Sequence, residues 1–239
     1  MVDSRQDEQE VRTQLAQACR VLYMEGLADY NLGHASCRGP EADRVLIKPR
    51  GLGLEEITPD DVIVVDLEGN VVEGAHRPHG ETIIHTGIYK RRPDVQSIVH
   101  VHPLFTAAFT SARLSIKPLN QDGVFFPGGV AMLESPELIT TEQQAQALAD
   151  KLGQDNAVLI RNHGIVTVGA RIEEACLLAI FFERAVKLQL MASLFGEIVA
   201  ISDETVWKMY DGFKQNPKRN EEIWRYMVRK LGREGLALQ

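Results

Sequence analysis

Apolar residues recur at helical spacing near both ends of the chain and gather into short runs through its middle. Over residues 8–26, Val11, Leu15, Ala18 and Leu22 make a stripe with a polar opposite face. That spacing predicts an amphipathic helix, and Gly26 suits its end. The runs RVLIK (44–48) and VIVVD (62–66) predict strands, and Glu68-Gly69-Asn70 turns the second into Val71-Val72 as a hairpin. A helix is predicted from Gly80 to Arg91, closed by Pro93-Asp94, with a strand over Val95–Val101. Pro103–Ser111 reads as a short helix. Thr140-Thr141-Glu142-Gln143 opens another, with a hydroxyl cap ahead of an acidic first turn.

The runs AVLIR (157–161) and IVTV (165–168) predict strands on either side of Asn162-His163-Gly164. Glu173–Leu194 predicts a long, largely buried helix, since Ala175, Ile180, Phe181, Ala185 and Leu188 leave few wholly polar turns. Two more helices follow, around 202–213 and 219–232. The order lacks a regular βαβ alternation. It predicts an α/β layered fold with a mostly antiparallel sheet. No repeat or linker divides the chain, so residues 1–239 read as one domain.

Composition narrows the function classes. Hydrophobic residues are 44% of 239 and charged residues 25%, which is ordinary globular usage. Net charge is −7, which disfavours nucleic acid or an anionic membrane as partner. Cys19, Cys37 and Cys176 form no CxxC pair and read as buried thiols in a reducing compartment. The start, MVDSRQDEQE, lacks the apolar core of a signal peptide, and no apolar run approaches a membrane span. The expectation is a soluble, cytoplasmic protein.

The candidate chemistry lies in the histidines. His100-Val101-His102-Pro103 ends a predicted strand, where positions i and i+2 face the same way, so both imidazoles can reach one metal ion. His163, in a tight turn between two strands, supplies a third imidazole. Three imidazoles with an open position suit a catalytic divalent metal. Glu81 stands at a predicted helix start. Beside a metal, such a carboxylate can carry a proton to or from carbon. His85, one helical turn on, reads either as packing under the site or as a hydrogen-bonding support for a site residue, and packing is the expectation.

The segments Asn31-Leu32-Gly33-His34-Ala35-Ser36, Ile47-Lys48-Pro49-Arg50-Gly51, His79-Gly80-Glu81, His100-Val101-His102-Pro103 and Arg161-Asn162-His163-Gly164 stand in one order. In these segments the chain resembles the class II aldolase/adducin family, over about residues 10–230. The resemblance implies an α/β/α sandwich with a central, mostly antiparallel sheet. It also implies a homotetramer with active sites between subunits, and one divalent ion (Zn, Mn, Fe or Co) per subunit. It assigns the metal to His100, His102 and His163, and the acid/base role to Glu81.

Sugar-phosphate members of that family hold phosphate with Gly-Asn, Ser-Gly and Ser-Ser pairs. Here those places carry Gly33-His34, Arg50-Gly51 and His79-Gly80. Two imidazoles and a guanidinium replace small hydroxyl and amide groups, and arginine's planar fork suits a carboxylate. His34, Arg50, His79 and Gly80 are therefore the expected anion-binding residues for a small anionic substrate. The pattern is similar to the branch that decarboxylates hydroxylated aromatic carboxylates, such as the hydroxymethylpyridine-dicarboxylate and dihydroxyphthalate decarboxylases. That implies a lyase of aromatic catabolism working through a metal-stabilised enolate-like intermediate. The alternative is a class II aldolase (retro-aldol cleavage) or epimerase acting on a sugar phosphate or hydroxy-keto acid. Trp207, Tyr210, Trp224 and Tyr226 read as helix packing. Asn120-Gln121-Asp122 is a candidate cleft lining.

Overall fold

The computed structural model describes residues 4–41 and 43–238. Its centre is an eight-stranded sheet. The strands are β1 (His34–Arg38), β2 (Val45–Ile47), β3 (Ile63–Val65), β4 (Val71–Glu73), β5 (Ser97–Val101), β6 (Ala131–Leu133), β7 (Ala157–Ile160) and β8 (Gly164–Gly169). They lie in the order β4-β3-β2-β1-β5-β8-β7-β6. Every neighbouring pair is antiparallel except β6 and β7.

The helices are α1 (Ser4–Met24), α2 (Thr82–Arg91), α3 (Leu104–Thr110), α4 (Glu142–Leu152), α5 (Ile172–Ser193), α6 (Asp203–Gln215) and α7 (Lys218–Arg233). Helices α1, α3, α5 and α7 pack on one face, and α2 packs with α4 on the other. The period-2 alternation of the strands divides the core accordingly. Ala35, Cys37, Val99 and Val101 join the larger core with α1 and α5. Ile98, Val166 and Val168 join Ile84, Ile88 and Tyr89 under α2. His34, Ser36 and His100, on the intervening positions, belong to the α2 face.

Most expected elements form within a few residues of their predicted bounds, and α1 begins four residues early, at Ser4. Thr141 caps α4, accepting from the Gln144 main chain. Helix α5 is largely buried as expected, with Leu190 and Met191 exposed near its C-terminal end. Two strands went unpredicted. HASCR at β1 mixes polar and small residues, and β6 is only three residues long. The three cysteines are buried and free. No helix among the described residues is long and apolar enough to cross a membrane.

Candidate active site

The site forms where β5, the β7–β8 turn and the start of α2 meet. His100 sits on β5, fully buried, opposite His34 of β1. Its Nδ1 lies 3.0 Å from the Ile165 carbonyl, so the ring donates there and turns a bare Nε2 to the site. His102 follows the strand, and Pro103 starts α3. Glu183 of α5 accepts from the Phe105 and Thr106 main chain (3.0 and 2.8 Å) and from the Thr106 hydroxyl (2.7 Å). That carboxylate satisfies the open N–H groups at the start of α3 and so fixes the chain leaving His102.

His163 projects from a three-residue reversal, Arg161-Asn162-His163, between β7 and β8. Asn162 has φ 55, a left-handed conformation that asparagine tolerates. At Gly164 a Cβ would strike the Val101 carbonyl. Glycine is therefore required here for close approach of two strands, which draws His163 toward His102. Glu81 immediately precedes α2. Its Oε1 accepts from the Ile139 main chain at 2.9 Å, leaving Oε2 for the histidines.

The structure brings these four residues together. Nε2 of His102 lies 3.0 Å from Nε2 of His100 and 3.1 Å from Nε2 of His163. Glu81 Oε2 stands 3.8 Å from both His100 and His163. One ligand atom from each falls within 4.8 Å of the others. Three ring nitrogens at this separation suit one ion at ordinary bond lengths of about 2.0–2.1 Å. Burial and neighbouring imidazoles hold His100 and His102 below the ordinary range, His102 at about 4, and burial lowers His163. The rings are therefore neutral near neutral pH, as ligands must be. The donor set fits a divalent metal. Burial lifts the Glu81 carboxyl, against the pull of the Ile139 N–H, as a proton carrier requires.

The Class II Aldolase and Adducin N-terminal domain matches residues 13–190. The chain belongs to the class II aldolase/adducin family. A 3,4-dihydroxyphthalate decarboxylase from Arthrobacter keyseri is 34% identical over 200 residues, 77% of this chain and 79% of that one. Another protein of that name, from Terrabacter sp. (strain DBF63), is 32% identical over 238 residues, 92% of this chain and 97% of that one. Among solved structures, L-fuculose 1-phosphate aldolase from Glaciozyma antarctica PI12 superposes with a TM-score of 0.87 at 26% identity, covering 98% of this chain and 94% of that one.

In this member of the class II aldolase/adducin family Glu81, His102 and His163 open onto a cavity of about 730 Å³, with His100 buried behind them, and the lining also includes His34, Arg50, His79 and Gly80. Arg50 is exposed. Lys48 is fully buried beneath, with its Nζ 3.2 Å from the Asn31 and Pro49 carbonyls. Burial, then the charges of Lys48 and Arg50, push His79 down to about 4. Burial and the surrounding imidazoles hold His34 well below its usual range. The electropositive character of this wall comes from Lys48 and Arg50, with His34 and His79 as neutral rings.

Other residues emerge only in three dimensions. Asp29 lines the cavity and places Oδ2 3.6 Å from Nδ1 of His102, an atom with no hydrogen-bond partner. Nothing in the local sequence marks it. His85 corrects the packing expectation: it is fully buried but bonds His34 and Ser36, each at 2.6 Å. Asn120 and Asp122 do not line this cavity; Asp122 instead pairs with Arg184 at 2.9 Å. Trp207 stacks edge-on against Tyr210 and lies outside the cavity too.

Proposed function

We propose that the chain is a divalent-metal-dependent decarboxylase of a hydroxylated aromatic (di)carboxylate. The observation that carries this reading is the cavity itself. A three-histidine, one-glutamate cluster adjoins a wall where guanidinium and imidazole replace the small phosphate-binding groups of sugar-phosphate members. Its similarity to two 3,4-dihydroxyphthalate decarboxylases supports the same reading.

In this account His100, His102 and His163 hold the ion, with Glu81 close enough to join them before substrate enters. A bound divalent ion supplies a Lewis acid for the electron pair released when a carboxyl leaves as CO₂. Arg50 grips a carboxylate, and the buried charge of Lys48 adds to the attraction. Glu81, protonated more readily than an ordinary carboxyl, delivers a proton to the carbon that loses CO₂. His34, His79 and Gly80 orient the ring. Leu104 and Leu138, 76% and 62% exposed at the cavity, give the rim an apolar surface. Following the family resemblance, we place this cavity at a subunit interface of a homotetramer, which such an apolar rim would suit, and the enzyme in the cytoplasm.

The test is CO₂ release by metal-loaded protein across hydroxylated benzoates, phthalates and pyridine dicarboxylates, beside a sugar-phosphate aldolase substrate. Turnover of an aromatic hydroxy-carboxylate with release of one CO₂ is expected. Aldol cleavage of the sugar phosphate with no CO₂ from any aromatic acid would replace this reading by the aldolase one.

A further inference from the structure

Four buried side chains run in a line away from the cavity. His34 Nδ1 is 2.6 Å from His85 Nε2, and His85 Nδ1 is 2.6 Å from Ser36 Oγ. Ser36 Oγ is 2.9 Å from the Tyr89 hydroxyl. Tyr89 in turn lies 3.4 Å from the Gln96 carbonyl, where the line ends because a carbonyl only accepts. None of the four is more than 2% exposed.

In the neutral state each group carries one polar hydrogen, and each contact needs one. Two orders fill all three short contacts and leave no hydroxyl hydrogen stranded. In the first, every hydrogen points inward: His34 Nδ1–H to His85, His85 Nδ1–H to Ser36, Ser36 to Tyr89, and Tyr89 to Gln96. In the second, Tyr89 donates to Ser36, Ser36 to His85, and His85 Nε2–H to His34. That second order leaves a hydrogen on His34 Nε2, an atom with no partner in the protein. A buried N–H without an acceptor is the rarer and costlier orphan. The inward order uses every donor and leaves one lone pair.

We infer that His34 presents a bare Nε2 to the cavity as the acceptor for a substrate hydroxyl, and that His85, Ser36 and Tyr89 are positioning residues that fix this tautomer. This rests on the reading of the cavity as the substrate site. His79 repeats the arrangement: it hydrogen-bonds the Asn31 main chain, and its Nε2 has no partner. The two rings sit 4.5 Å apart, centroid to centroid. Two neutral acceptors repel a carboxylate, so the carboxylate goes to Arg50. The ligand class is an acid with a free hydroxyl close to its carboxylate. O-methylation of that hydroxyl leaves the ring nitrogen facing carbon.

The experiment is long-range ¹H–¹⁵N correlation of the imidazoles in the full-length protein, with His34 and His85 assigned by single substitution. Both rings are expected in the Nδ1–H form. An Nε2–H form at His34 overturns the proposal. In Tyr89→Phe the deep Ser36 hydroxyl loses its acceptor and must turn to His85. Both rings are then expected to flip to Nε2–H, where a merely structural role would leave them unchanged. Titration of wild type with 2-hydroxybenzoate and 2-methoxybenzoate, followed at His34 Nε2, is expected to favour the hydroxyl compound by at least ~100-fold. Equal binding, or binding of neither, overturns the ligand assignment. Neither readout uses turnover, so absence of CO₂ release would remove the decarboxylase reading alone.

Discussion

Glu81 carries the most specific burden of any single side chain. One carboxylate oxygen is tied to the Ile139 N–H and the other faces two of the three clustered imidazoles. Replacing it by glutamine keeps size and most hydrogen bonding but removes the transferable proton. Glu81→Gln is expected to retain bound metal while kcat falls by about 10²–10⁴-fold. Steady-state kinetics with metal analysis checks this, and near-normal kcat would remove Glu81 as the proton carrier. At this scale the sequence was unevenly legible. The i, i+2 spacing of His100 and His102 is a local pattern. His163 in its turn and Glu81 at its helix start could be named as candidates, but their meeting with that pair depends on contacts across the fold, and only the family resemblance assigned them to one site. Asp29, Lys48 and Tyr89 carry no local signature, because their roles lie in which distant atoms they meet.

At the scale of elements, the site depends on how β5 passes into α3. The turn through His102-Pro103 is held by Glu183, which reaches from α5 to cap the N-terminus of α3 with three hydrogen bonds. Glu183→Ala would leave two main-chain N–H groups and a hydroxyl unpaired in a site only 8% exposed. A loss of about 2–4 kcal/mol of stability is expected, readable as a lower urea midpoint. A change within about 0.5 kcal/mol would mean that water satisfies these groups. Long elements such as α1 and α5 were legible because their periodicity extends over many turns. β1 was not. Its alternation places His34 and Ser36 on one face and Ala35 and Cys37 on the other, and burial on both sides removes the polar-out signal that marks a strand.

The whole molecule concentrates buried imidazoles to an extent that couples its stability to pH. His79 and His102 are held at about 4 and His85 at about 3, and His34, His100 and His163 are also lowered. Between those values and 6.5 the unfolded chain binds protons that the folded chain refuses, so stability falls as pH drops through this window. Glu81 acts in the opposite sense. Its raised carboxyl keeps a proton that the unfolded chain has lost, a contribution that fades as pH rises from 4.5 through its folded value. The histidines outnumber it and set the sign. The metal-free protein is expected to unfold at lower urea at pH 5 than at pH 7.5. An equal or higher midpoint at pH 5 would show that the imidazoles are not buried as neutral rings.

The proposed function depends on one centre, in which three histidines from two separate parts of the sheet would share a divalent ion. Metal equivalents per chain, measured at neutral pH after loading and removal of excess ion, test this most directly. One equivalent is expected for the wild type, and less than about a tenth for His100→Ala or His163→Ala. A variant lacking either imidazole that still holds a full equivalent would contradict it.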